Sequence, residues 1–234
     1  MPLLMDIVVV ILGYVIGSVP FGLLIVKLKT GKDLRTVESG RTGGTNAARA
    51  AGLGAGLLTA IMDILKGTFA AWLAKAIDPT HDIIHVLTPI AAILGHNYSI
   101  FLTERDENGK LKFRGGAGGA TALGGAVGLW LPIFPIVFGL GALIWFSIGI
   151  ASLTTMAVGL VVIIVFAFQA SQGILPPIYI WYGIIAEILL IWALRPNIKK
   201  LLAGNERVIH LSLAGYLKAK REQREAEKSQ GGKP

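Results

Sequence analysis

The sequence predicts an all-α polytopic membrane protein of about seven short transmembrane helices, N-terminus out and C-terminus in. Three observations predict it. Hydrophobic residues make up 53% of the chain and charged residues only 15%, against about 25% charged in a soluble domain. Between Arg114 and Arg195 the only formally charged side chain is Glu187, and no water-facing surface could be built from such a stretch. The Lys and Arg residues, finally, gather in three segments.

About 20 apolar residues cross a bilayer, and lipid offers the backbone no hydrogen-bond partner, so spans are helices or closed barrels. The apolar runs here are continuous rather than alternating, which selects helices. The first span, 5–26, lacks the basic leader and small-residue cleavage site of a secretory signal and is expected to be retained. Pro79 separates the second, 48–76, from the third, 83–101. The polar segment 103–114 precedes the fourth, 118–131, and Leu131 to Pro135 divides it from the fifth, 134–150. Ser147 to Thr155 marks the sixth, 152–170. Ser171-Gln172-Gly173 with Pro176-Pro177 marks the seventh, 178–194. The break between the fifth and sixth is the least marked, so six spans are the alternative.

Charge sets the orientation. Lys27, Lys29, Lys32, Arg35, Arg41 and Arg49 follow the first span. Arg105, Lys110, Lys112 and Arg114 follow the third, and Arg195, Lys199, Lys200, Arg207 and further cations follow the last. An odd number of spans puts all three segments in the cytoplasm, whereas six would split them; seven is therefore preferred. The same rule explains the net charge of +8 better than nucleic acid does. Residues 1–210 read as one transmembrane domain. Residues 211–234 read as a basic cytoplasmic tail, disordered by composition, with a basic helix on anionic lipid as the alternative. There is no cysteine, hence no disulfide and no thiolate chemistry.

Two predicted cytoplasmic loops share a pattern. Glu38-Ser39-Gly40-Arg41-Thr42-Gly43-Gly44-Thr45-Asn46 leads into the second span. Arg114-Gly115-Gly116-Ala117-Gly118-Gly119-Ala120-Thr121 leads into the fourth. Helix N-termini expose unpaired N–H groups and partial positive charge, and glycine lets a ligand approach the backbone. Two such turns suit two phosphate groups. Glycine also serves close helix packing in membranes, and Gly119, Gly124, Gly125 and Gly128 fit that simpler role. No Walker A pattern occurs, which argues against nucleotide hydrolysis. His96, ending the third span, is either an interfacial anchor or a base; His81 and His85 fall on the outer side and look incidental. Asp63 and Lys66 share a helix face and are expected to pair, since a lone charge in a span costs about 2.5–3.5 kcal/mol. No His, Asp or Glu cluster has metal-ligand spacing, and neither metal nor cofactor is expected.

Taken together these segments resemble the bacterial acyl-phosphate:glycerol-3-phosphate acyltransferases, the PlsY family, along nearly the whole chain. The first span is similar from Gly13 to Gly22. Ser39-Gly40, Gly43, Thr45-Asn46 and Arg49 match the family's first motif, and Asp63 to Gly67 and Gly95-His96 are in place. Gly115-Gly116, Gly118 and Ala120 to Gly124 match the second motif, and Asn197 to Lys199, Leu201 to Gly204 and Glu206 the third. The resemblance implies a seven-helix enzyme of the bacterial inner membrane with a cytoplasmic active face. It implies acyl transfer from acyl phosphate to the 1-hydroxyl of glycerol 3-phosphate, giving lysophosphatidic acid. It implies a catalytic group of His96, Asn46 and Asn197. Phosphate would be bound by Ser39, Gly40, Gly43, Thr45 and Arg49 of the first turn and Arg114, Gly115, Gly116, Gly118 and Thr121 of the second. The base is His96 or a phosphate oxygen of the substrate.

The sequence departs from the family's pattern at several places. Ala117 stands where the second motif has lysine. Arg41, Thr42 and Gly44 replace the residues usual in the first motif, Leu194 to Pro196 those before the third, and the loop from Thr103 to Phe113 is long. Arg114 is the leading candidate to replace the lysine, followed by Arg41 and Arg195. The rival readings are a non-catalytic paralogue that binds lipid phosphate and a transporter of a phosphorylated solute, which would carry helices broken near the midplane.

Overall fold

A computed structural model describes residues 3–209, 212–217, 219–221 and 223. Its helices in chain order are α1 (Leu3–Ser18), α2 (Phe21–Thr30), α3 (Gly44–Ala51), α4 (Leu53–Ile77), α5 (Asp82–Asn97), α6 (Gly119–Leu129), α7 (Ile133–Ile148), α8 (Ala151–Ser171) and α9 (Tyr179–Leu202). A hairpin of β1 (Ser99–Arg105) and β2 (Leu111–Arg114) separates α5 from α6. Among the described residues, Leu3–Thr30, α4, α8 and α9 are long and apolar enough to cross a bilayer; α6 and α7 are apolar but shorter. Large apolar side chains such as Leu58, Phe138, Phe168, Trp181 and Ile188 stand exposed on the outside of the bundle, as lipid-facing positions require.

The structure differs from the sequence reading at four places. The first span is interrupted between α1 and α2, because Pro20 has no N–H to continue the ladder and its ring crowds the preceding turn. The carbonyls freed there are used: Ser18 O accepts from Ser99 Oγ at 2.6 Å and Val19 O from Lys66 Nζ at 3.1 Å. The second span divides at Gly52, whose φ of 88° ends α3 and restarts the chain as α4. The third stops at Asn97, and the apolar residues from Ser99 onward belong to β1 instead. Antiparallel pairing of Glu104 with Lys112 and Arg105 with Leu111, closed by a turn with Gly109 at φ 74°, turns the supposed loop into a hairpin. The fold is therefore mostly helical rather than all-α. The last helix runs on through Pro196 to Leu202. The weakest predicted break is present: Gly149, at φ 71°, ends α7 two residues before α8. The predicted tail lies mostly outside the described residues. Within it, 212–217 includes a helical turn in which Ser212 Oγ accepts from Gly215 N at 3.0 Å.

The packing follows the small residues. Gly17 lies so close to the Ala92 backbone, and Gly67 to Thr121, that a Cβ at either would overlap main-chain atoms. Membrane helices gain stability from such close approach, since apolar burial alone favours neither helix over lipid. Thr68 Oγ1 donates to Gly124 O at 2.9 Å and Tyr182 OH to Ala122 O at 2.6 Å, stapling α6 to α4 and α9. The main core lies among α4, α5, α6, α8 and α9, around Ile93, Ala126, Val127, Phe166 and Tyr182. With 11 residues α6 spans about 16 Å at 1.5 Å per residue, half a bilayer. The turn before it is therefore sunk into the protein, where non-helical backbone is tolerated.

Candidate active site

The two glycine turns meet. Thr42 N–H donates to Gly115 O at 3.3 Å and Gly116 N–H to His96 O at 2.9 Å, so the first turn, the second turn and the end of α5 form one wall. In front of it lies a cavity of about 290 Å³, bounded also by the N-termini of α3, α6 and α8, the end of α9 and residues 206–209. Of the residues expected from sequence, Ser39, Gly43, Thr45, Asn46, Arg49, His96, Gly118 and Asn197 line this cavity.

Each is positioned by its own local logic. Asn46 is buried in the first turn of α3, and its Nδ2 reaches three carbonyls, Leu34 O at 3.3 Å and Val37 O and Arg41 O at 2.9 Å. Its amide protons thus hold the loop before α3, while its buried Oδ1 has no partner among the described residues. Arg49 lies one turn further along α3 and has no ion pair or hydrogen bond among the described residues. Gly118, at φ 87°, is the N-cap of α6. The first N–H groups of α3 and α6 have no partner within their helices, and both helices begin at the cavity.

The remaining expected residues sit elsewhere. Arg114 does not reach the cavity: its Nε donates to Glu104 Oε2 at 2.6 Å, and Arg35 Nη1 takes Glu104 Oε1 at 2.7 Å. The hairpin is thereby clamped to the loop after α2, and Arg114 is spent on it. A Cβ at Gly115 or Gly116 would strike Asn97 or the His96 ring, so these glycines allow the turn to lie against α5. Thr121, in the first turn of α6, is fully buried, and Gly40, at φ 65°, shapes the first glycine turn without lining the cavity. Arg195 stacks on Trp192, 3.3 Å from the ring centre.

Sequence reasoning gave Arg41 only second place, and it passed over Ser152 and Thr155. Arg41 Nη1 donates to Asn197 Oδ1 at 3.0 Å and Nη2 to the Ala193 carbonyl, while Asn197 Nδ2 donates to Glu206 Oε1 at 2.9 Å. Ser152 Oγ shares that carboxylate at 3.3 Å. Burial pulls the Arg41 guanidinium down from its ordinary range and Glu206 opposes it. The hydroxyls of Ser152 and Thr155 were legible only as a polar break between spans. Arg207, paired with Glu38 at 3.1 Å, completes the rim. Arg41, Arg49 and Arg207 thus surround a cavity in which Ala117 presents only a methyl group.

The expected pairing of Asp63 and Lys66 is present, with Nζ 2.9 Å from Oδ1, and it includes His96, whose Nδ1 is 2.7 Å from the same ammonium. Asp63 and His96 both reach the cavity wall. His85, by contrast, joins Tyr179 OH at 3.1 Å and the Asp78 carbonyl at 2.7 Å on the opposite side of the bundle. From the edge of the cavity at Gly119 and Thr155 a narrow apolar seam of only about 20 Å³ runs between α6, α8 and α9 past Leu123, Val158, Val162 and Leu190. Such an arrangement can hold anionic groups in the cavity.

Known proteins resemble this chain in sequence and fold. The family model described as glycerol-3-phosphate acyltransferase matches residues 7–204. A glycerol-3-phosphate acyltransferase of Rubrobacter xylanophilus is 37% identical over 207 residues, covering 87% of this chain and 95% of the relative. One of Dehalococcoides mccartyi is 34% identical, covering 86% and 94%. The crystal structure of PlsY (YgiH), an integral membrane glycerol 3-phosphate acyltransferase, in its glycerol 3-phosphate form is 32% identical with a TM-score of 0.75, covering 88% of this chain and 96% of that one. Its lysophosphatidic acid form gives a TM-score of 0.74 at 30% identity. The chain therefore belongs to the glycerol-3-phosphate acyltransferase family.

Proposed function

We propose that this protein transfers a fatty acyl group from acyl phosphate to the 1-hydroxyl of glycerol 3-phosphate, making lysophosphatidic acid for phospholipid synthesis. The observation that carries the reading is the joining of two helix N-termini and three arginines in one cavity. Both substrates bring a phosphate, and two helix starts suit two phosphates. The hydroxyl oxygen attacks the acyl carbonyl, the bond from carbonyl carbon to phosphate oxygen breaks, and inorganic phosphate leaves with the hydroxyl proton. A mixed anhydride is already activated, so orientation and charge neutralisation supply the acceleration. Ser39, Thr45 and Arg49 with the start of α3 serve one phosphate. Gly118 and the start of α6, with Arg41, serve the other.

We place seven crossings at α1 with α2, α4, α5, α6 together with the sunken turn before it, α7, α8 and α9, with the cavity on the cytoplasmic face of a bacterial inner membrane; the basic segments support this. Residues up to about 210 form one domain. A transporter would use the α1–α2 break, yet its free carbonyls are already bonded by Ser99 and Lys66. The test is a transfer assay on purified protein with acyl phosphate, acyl-CoA and acyl-carrier protein as donors. Lysophosphatidic acid formed from acyl phosphate alone is expected. Equal rates from acyl-CoA would discard the donor assignment, and no product from any donor would leave the lipid-phosphate-binding reading.

A further inference from the structure

We propose that Lys66 holds His96 as a neutral imidazole protonated on Nε2, so that His96 serves the cavity as a hydrogen-bond donor to an anionic oxygen and not as a base. The proposal rests on the acyl-transfer reading for its substrate, but its geometry stands alone.

The Lys66 ammonium is surrounded by three acceptors: His96 Nδ1 at 2.7 Å, Asp63 Oδ1 at 2.9 Å and Val19 O at 3.1 Å. An ammonium has three protons and no lone pair. The Val19 carbonyl, which also accepts from Phe21 N–H at 3.1 Å, lies at the break beside Pro20. A proton on His96 Nδ1 would face the ammonium protons across 2.7 Å. A doubly protonated ring would set a second cation beside Lys66, with one buried carboxylate, Asp63, for both. Only the Nε2–H tautomer leaves the group neutral and Nδ1 free to accept. Asp63 lies 3.5 Å from Nδ1 and cannot displace the nearer ammonium.

The other end of the ring meets the second glycine turn. Nε2 lies so close to Gly116 that a Cβ there would overlap it, and Nε2 has no hydrogen-bond partner among the described residues. A proton on Nε2 at the cavity wall can be donated to a phosphate oxygen or to the oxyanion that develops on the acyl carbonyl. It cannot take up the acceptor's proton, because the ring's only lone pair faces Lys66. Lys66 is then a positioning residue and His96 the group that touches substrate.

Nitrogen-15 NMR of histidine-labelled full-length protein tests this directly, with His96 assigned by its loss in His96→Gln. A protonated Nε2 and an unprotonated Nδ1 are expected, with the Nε2 proton moving when glycerol 3-phosphate or acyl phosphate is added. In Lys66→Met the tautomer should invert, since Asp63 can then accept from Nδ1–H. If that variant does not fold, Asp63→Asn with Lys66→Met, uncharged throughout, should also lose the preference for Nε2–H. In the transfer assay His96→Gln, which keeps a donor, should stay within about tenfold of wild type, while His96→Ala loses roughly ten- to a hundredfold. A wild-type Nδ1–H tautomer or an imidazolium would overturn the proposal, as would equal losses in the Gln and Ala variants. If the wild type transfers nothing, the functional reading fails, while the NMR result still decides the tautomer.

Discussion

Arg41 donates from Nη1 to Asn197 Oδ1 at 3.0 Å, tying the first glycine turn to the last helix across 156 residues of chain. Asn197 passes the contact to Glu206, and Ser152 joins at the same carboxylate. One guanidinium thus links two walls of the cavity.

Arg41→Ala should lower kcat/KM by roughly ten- to a hundredfold, the worth of a charge-assisted hydrogen bond of about 1.5–3 kcal/mol. Arg41→Lys should not restore it, because a point charge cannot reach Asn197 and Ala193 at once. Steady-state kinetics with both substrates varied would check this, and wild-type behaviour in Arg41→Ala would remove Arg41 from the site.

Arg114→Ala should cost little turnover. Its partner is Glu104, both are about one-third exposed, and such pairs contribute about 0–1 kcal/mol. Glu104→Gln, which loosens Arg35 and Arg114 together, should speed proteolysis of the hairpin more than Arg114→Ala does. Ala117→Lys should bring little gain in rate, since three arginines already face the cavity. A large gain would mean that the cavity lacks a cation after all.

Replacing Asn46 by Ala leaves three carbonyls without their shared donor. A loss of about 1–3 kcal/mol is expected, with activity falling because the loop that carries Ser39 and Arg41 slackens. Thermal unfolding in detergent should show a lower Tm; an inactive variant with unchanged Tm would instead return Asn46 to a catalytic role.

Asp33 accepts from the Arg35 backbone N–H at 2.9 Å and from its guanidinium, which holds the carboxyl down at about 2. A folded-state value below the ordinary one, about 3.9 when unperturbed, makes the stabilisation complete above about pH 4 and lost as pH falls toward 2. The difference in Tm between wild type and Asp33→Asn should therefore be small and constant near neutrality and vanish in acid. A difference that grows in acid would contradict the pairing.

Single cysteines at Ser39 and Thr103 should label only from the cytoplasm and one at Thr80 only from outside. The absence of native cysteine makes the measurement direct. Labelling of position 80 from inside alone would overturn the seven-crossing topology.

The sequence by itself determined the membrane class, the breaks around Pro79, Pro132 and Gly149, and the placing of both glycine turns at helix starts. These are local properties: hydropathy, missing N–H groups and left-handed glycines act within a few residues. It also pointed to Asp63 with Lys66, because three residues apart on a helix is a local distance. What tertiary structure alone decided is which side chain faces which. Arg114 and Arg41 are equivalent as cations beside glycines, yet Glu104 on a hairpin, read from sequence as a loop, captures Arg114. Asn197, a last-helix residue, holds Arg41 at the cavity. His96 is chemically the same imidazole as an anchor, a base or a donor, and only the ammonium on a neighbouring helix assigns its proton. Partners 10, 30 and 156 residues apart leave no common periodicity in the chain, so their pairing becomes visible only in the packed bundle.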